Sequence, residues 1–252
     1  MRDNNIPHLE ILSDENITWG KFPLIIQKSA KQHESLWHYC SLDSFRCIFH
    51  NRTFRSTPLC SVLLNDQYEA KRKNLDDYAK NCYISCFSHC QHEMVAFWMN
   101  YGGIYKDQKV VLKFKNFINS IVNNLNIDYV IAPGGKKLFL GRNVFSLNFF
   151  DVGYRAKNDE CFRQTNLGAK LSSDRITPMI FPGILGKHKT EHWEYEKETR
   201  IILQMFTNNE FKYLDFQLKS EIFRDLVIIT NPWAVERLEE EVLEIVDASC
   251  LP

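Results

Sequence analysis

Three glutamates, Glu194, Glu196 and Glu198, stand two residues apart in EHWEYEKETRIIL, residues 191–203, just before an Arg-Ile-Ile-Leu run. Alternate residues of an extended segment share one face. That spacing predicts three carboxylates and Arg200 on one side, with Trp193, Tyr195 and Ile201 on the other. Like charges so placed repel, and a carboxylate beside another shifts its proton affinity, which acid–base and cation-stabilising groups require. The plain alternative is a solvated lead into a strand, its charges turned outward and Lys197 as a neighbour.

Other stretches carry usable groups. In LWHYCS (36–41), His38 and Tyr39 point to opposite faces of a strand, one toward a cleft and one into packing. NDQYE (65–69) can cap a turn or hold a ligand hydroxyl. In YISCFS, Ser85 and Phe87 share a face and Ser88 ends the strand. In AFWMNYG, Trp98 and Tyr101 lie three apart on one helix face. Serines beside aromatics at a strand end suit a flat ligand with polar edges. Cys82, Cys86, His89, Cys90 and His92 are dense, but structural zinc sites use two short-spaced pairs set well apart. No metal site is expected.

These groups need elements to position them. The chain reads as a strand at 36–39, then a helix capped by Ser41 or Asp43 with Leu42, Phe45, Ile48 and Phe49 inward. TFRST is a short extended piece ended by Pro58, and residues 63–80 read as a loop and a helix. CYISCFS is a strand, HEMVAFWMNYGG a helix stopped by Gly102 and Gly103, QKVVLKFK a strand and FINSIVNNL a helix. FSLNFFDVGY is a strand, and 155–190 a loop and a helix. TRIILQM, KYLDF and DLVIIT are strands before a final helix from Pro232 to about Val246. The mixed order makes α+β the class. Residues 1–34 read as a polar N-terminal extension and 35–252 as a single domain.

The 252 residues, 44% of them hydrophobic, can bury a sizeable core. The 31 basic and 31 acidic residues cancel, so no global field draws nucleic acid or an anionic membrane. Neither a secretory signal nor an 18-residue apolar run is visible. Eight scattered cysteines suit reduced thiols in a cytoplasmic compartment.

Taken in order, LWHYCSL (36–42), NDQYE (65–69), CFS (86–88), FWMNYG (97–102) and WEYEKETRII (193–202) resemble a bacterial domain family of unknown function found widely as stand-alone proteins. That family looks like a distant branch of the ADP-ribosyltransferase superfamily, with His38 where the Arg-Ser-Glu class has an arginine. The resemblance implies a split mixed or antiparallel β core flanked by helices. It further implies a mono-ADP-ribosyltransferase that cleaves NAD and modifies a macromolecule, as a toxin or secreted effector entering a host cell without a cleavable signal. A protein acceptor is favoured, a nucleic acid is possible, and no membrane is involved.

Under that resemblance Glu198 stabilises the oxocarbenium-like centre through the ribose 2-OH, and Glu196 orients or deprotonates the acceptor. His38 holds the adenosine ribose, with Ser85 and Ser88 near the nicotinamide-ribose strand. Tyr39, Phe87, Trp98 and Tyr101 stack on or wall the nicotinamide, with Tyr39 and Tyr101 both fitting the stacking role. Arg55 is favoured over Arg200 for the pyrophosphate. Two rivals remain: a metal-dependent nuclease built on Asp66, Glu69 and the late carboxylates, and a non-catalytic nucleotide- or protein-binding module.

Overall fold

The computed structural model describes most of residues 25–249. Outside it lie residues 1–24, 61–65, 67–68, 70–78, 102–107, 116–124, 163–166, 181–184, 206–210 and 250–252, with a few scattered positions. In chain order the elements are β1 (Ile25–Lys28), β2 (Ser35–Ser41), α1 (Leu42–Asn51), β3 (Thr53–Pro58), β4 (Cys82–Ser88), α2 (Val95–Asn100), β5 (Lys109–Lys115), β6 (Leu125–Ala132) and β7 (Lys136–Phe139). They continue with β8 (Val144–Asp151), β9 (Gly153–Arg155), β10 (Leu167–Ser172), β11 (Arg175–Ile180), β12 (His188–Thr190), β13 (Glu198–Met205), β14 (Leu214–Leu218), β15 (Val227–Thr230) and α3 (Leu238–Ser249). The fold is α+β, with a mostly antiparallel sheet and few helices. None of the described helices is long and apolar enough to cross a membrane.

The sheet is organised around β13, every residue of which is buried. A strand buried on both faces must also be paired on both edges to satisfy its backbone. It runs antiparallel to β4 on one side and to β8 on the other. β1 adds in parallel to the far side of β8, so the end of the polar extension belongs to the sheet. The outer edge of β4 divides. Its first half pairs with β3 (Thr57 with Ile84), while its last residue, Ser88, pairs with Trp37 of β2. One wing continues β3–β14–β6–β7 and the other β2–β5–β15. Where the wings part, Nδ1 of His38 donates to the backbone carbonyl of Cys86 at 3.0 Å.

Helix α1 forms where its spacing predicts. The Ser41 hydroxyl accepts from the Ser44 amide at 3.2 Å, Asp43 occupies the first turn, and Leu42, Phe45, Ile48 and Phe49 are buried. They join Leu238, Val242 and Ile245 of α3 on one face of the sheet, with Tyr83, Phe87, Leu147, Ile201 and Leu203 beneath. The opposite face carries a smaller cluster that includes Leu59, Ile84, Phe150, Leu185 and Ile202.

Several expectations give way. Residues 191–196 form a 3₁₀ turn, not an extended lead-in. No β-branched residue lies between Thr190 and Thr199 to favour a strand. Within 155–190 the described residues hold the β10–β11 hairpin and β12 in place of a helix. The last helix starts at Leu238. Pro232 sits earlier, in a turn where the Asn231 side chain accepts from the Trp233 amide at 3.0 Å. The expected helices at FINSIVNNL and after NDQYE lie largely outside the described residues, and Leu125 opens β6.

Candidate functional site

Thr190 ends β12, and its amide and hydroxyl donate to one oxygen of Asp66 at 2.8 and 3.0 Å. That clamp holds Asp66 against β12, and Glu69, three residues on, is buried. The 3₁₀ turn 191–196 follows and ends at Lys197, whose φ of 41° lies in the left-handed region. Lysine is uncommon there. The turn reverses the chain so that Lys189, before it, faces Glu196 and Glu198 at its end.

Five charged side chains meet behind this turn. The Lys189 ammonium lies 2.5 Å from Glu196, 2.9 Å from Glu198 and 3.4 Å from Glu69. Arg200 forks onto Glu198, with Nε and Nη2 at 2.7 and 2.9 Å from its two oxygens. Its Nη1 lies 2.6 Å from Glu69 and donates to the Gly186 carbonyl at 2.7 Å. All five are at most 4% exposed. Gly186 has φ +74°, and a Cβ there would meet Ile202 Cδ1 at 2.8 Å, so glycine is what lets the carbonyl reach Arg200. Tyr101 donates its hydroxyl to Glu196, and the Glu198 amide donates to the Tyr154 hydroxyl at 2.8 Å.

The two glutamates differ in their electrostatics. Burial alone raises both. At Glu198 the Arg200 and Lys189 charges outweigh burial and hold the carboxyl well below the usual range. At Glu196 burial prevails, aided by the Glu198 charge, and the carboxyl lies above its ordinary value although Lys189 opposes. Two carboxyls with proton affinities pushed apart are suited to serve as an acid–base pair. Half-buried aromatics border them. Tyr195 approaches Trp193 (ring centroids 6.1 Å) and Phe97 (6.3 Å), and Lys189 lies 5.5 Å over the Trp193 ring.

Of the residues singled out by sequence, Glu196, Glu198 and Tyr101 come together here. Ser88 supports them from behind, its hydroxyl donating to the Glu196 carbonyl at 2.7 Å. Glu194 is exposed. His38 fills the fork in the sheet, edge-on to Phe54 at 4.5 Å, and burial pushes it down to about 4. Phe87 lies in the main core, and Tyr39 stacks on Phe97 at 4.9 Å. Trp98 is buried against Trp37 and Val111, with its indole N–H on Glu93. Ser85 bonds Ser56 at 2.5 Å and the Arg55 carbonyl at 3.0 Å. The Arg55 side chain is exposed, forks onto Asp215 at 2.8 and 3.0 Å and covers the Tyr213 ring at 3.5 Å. These bonds place it with β14, apart from the glutamates.

Lys189 and Tyr154 carry no site signal in the sequence, whereas Asp66 and Glu69 stand in NDQYE, read as a cap or hydroxyl-binding stretch, and are named singly in the nuclease alternative. Lys189 stands in GKHKTEH with no spacing that marks it. The Asn-Asp-x-x-Glu pattern was the available signal for Glu69. Compared with known proteins, the chain matches no family model, no curated protein and no solved structure.

Proposed function

We propose that the chain is a mono-ADP-ribosyltransferase that takes NAD as substrate, releases nicotinamide and transfers ADP-ribose to a macromolecular acceptor, preferably a protein. The observation that carries this reading is the pair Glu196–Glu198: two buried carboxyls at the head of the central strand, Glu198 held by Arg200 and Lys189 and Glu196 by the Lys189 ammonium and the Tyr101 phenol. Breaking the bond between nicotinamide nitrogen and ribose C1 develops positive charge on the sugar. A fixed anion stabilises that charge without reorganising, and Glu198 is fixed by three cationic contacts. A base of raised proton affinity takes the acceptor's proton as the new bond to C1 forms, and Glu196 has that property. The divided sheet edge at β4 is compatible with a split-sheet transferase architecture.

The test is incubation of the protein with labelled NAD and a cell lysate. Label transfer and nicotinamide release are expected, and Glu198→Gln should lower both by about a hundred- to a thousandfold while the circular dichroism stays unchanged. Turnover indifferent to that substitution removes Glu198 from the mechanism. Failure to bind NAD at millimolar concentration removes the class.

One observation favours a second reading: Glu69 shares Lys189 and Arg200 with the late carboxylates, and Asp66, nearby in sequence, is held by Thr190, an arrangement that a metal-dependent nuclease built on these acids would use. Against it, Lys189 and Arg200 already stand between those carboxylates, where a divalent ion would be repelled. Magnesium-dependent cleavage of nucleic acid, abolished by EDTA, would establish the nuclease.

A further inference from the structure

The cations do not serve the two glutamates equally. Among the described residues, Glu198 faces three cationic nitrogens, two from Arg200 and one from Lys189, whereas Glu196 faces the Lys189 ammonium and the Tyr101 phenol. At this depth a carboxylate persists as an anion only in proportion to the opposite charge held against it. Among the described residues Lys189 is the one ionised group that touches both, and it reaches Glu69 as well.

We propose that Lys189 is the positioning residue of this centre, dividing its charge so that Glu198 remains an anion and Glu196 is the carboxyl that takes up and returns a proton. The groups facing the pair are Glu69, Arg200 and Lys189, the phenols of Tyr101, Tyr154 and Tyr195, and the thiols of Cys86 and Cys90. Among the charges, Lys189 and Arg200 oppose protonation and Glu69 favours it. The phenols are neutral: burial, the leading influence on each, drives Tyr101, Tyr154 and Tyr195 upward. Burial likewise holds the Cys86 thiol protonated. The balance of these charges and burial runs the same way, upward at Glu196 and downward at Glu198. In the transfer reaction proposed above this gives Glu196 the base's role, but the proton assignment itself stands without that reaction.

Carboxyl-carbon NMR of the full chain, with no NAD present, tests it. The Glu196 signal, identified by its loss in Glu196→Gln, should titrate above the range of exposed glutamates. The Glu198 signal, identified by Glu198→Gln, should stay that of a carboxylate throughout that range. Lys189→Met should raise the Glu196 midpoint by at least about one pH unit, a tenfold gain in proton affinity, and Lys189→Arg should restore most of it. Protonation of Glu198 before Glu196, or a Glu196 midpoint indifferent to Lys189→Met, overturns the proposal. Should Lys189→Met not fold, Lys189→Gln is read in its place, with the same result expected and the same result overturning the proposal. A chain that shows this order yet never cleaves NAD retains the role of Lys189 and loses only the transferase reading.

Discussion

Replacing Arg200 by methionine keeps most of the buried aliphatic volume and deletes one charge. The loss removes two hydrogen bonds to Glu198, a 2.6 Å contact to Glu69 and a bond to the Gly186 carbonyl. Removing one partner of a buried ion pair costs about 3–5 kcal/mol. A second route gives a similar size, because a carboxylate short of its cation can take a proton instead. At pH 7, for an ordinary glutamate, that costs about 3.7 kcal/mol, some 2.7 pH units at about 1.36 kcal/mol each. At pH 5 the same protonation costs only about 1 kcal/mol. Glu198 in the unaltered protein is held below its ordinary value, so its contribution is complete above the unfolded-state value and is lost only as pH falls through the lower folded value. It is therefore still intact at pH 5. Urea unfolding followed by circular dichroism should show Arg200→Met destabilised by about 4 kcal/mol at pH 7, a large share of a typical 5–15 kcal/mol. The deficit should shrink by about 2 kcal/mol or more at pH 5. A deficit under about 1 kcal/mol, within the ordinary range for point substitutions, or one equal at both pH values, refutes the reasoning.

Burial pushes both His38 and His89 down to about 4, the nearby His33 adding to the effect at His89. Their neutral rings contribute stability that is present above the unfolded value of about 6.5 and declines as pH falls from there to about 4, on the order of 2 kcal/mol per ring. Thermal melts across that window should show the decline, and His89→Asn should lessen it; an unchanged slope excludes His89. Ser88→Ala leaves the Glu196 carbonyl and the Cys90 amide without the Ser88 hydroxyl and should cost about 1–3 kcal/mol in denaturant unfolding. Cys47 and Cys60 are exposed while Cys40 and Cys82 are buried, with burial pushing their thiols up to about 12. Alkylation read by mass spectrometry should therefore label the first pair in the native protein and the second only after unfolding.

How much of this was legible in the chain depended on whether the signal was local. The α1 cap and its inward face could be read because an N-cap serine and a helical apolar spacing are written within ten residues. Strands β4 and β13 declared themselves through β-formers. The 3₁₀ turn did not: alternating glutamates suggested an extended strand, and only the tertiary need to swing Lys189 toward Glu198 accounts for a lysine in the left-handed region. Glu196 and Glu198 could be singled out as a pair with Arg200 on their side, but not their meeting with Lys189 and Glu69, which comes through contacts between distant segments. Trp98 was ambiguous on its own. An aromatic on a short helix serves a core or a ligand equally well until its neighbours are known, and here those are Trp37 and Val111.

The charge cluster also bears on how the chain reaches its fold. Asp66 and Thr190 are 124 residues apart, and Ser88 and Glu196 are 108 apart. Long loops of this kind must close before such contacts can form. Until Glu69 has arrived, collapse around Lys189 and Arg200 buries cations without their full set of partners, which is costly. The charge set at the centre of the sheet is therefore complete only when residues 69, 189 and 200, from three distant parts of the chain, have all met. A set of residues suited to chemistry in the native state is in that sense also a condition on assembly, since a partial set leaves a buried charge unmatched.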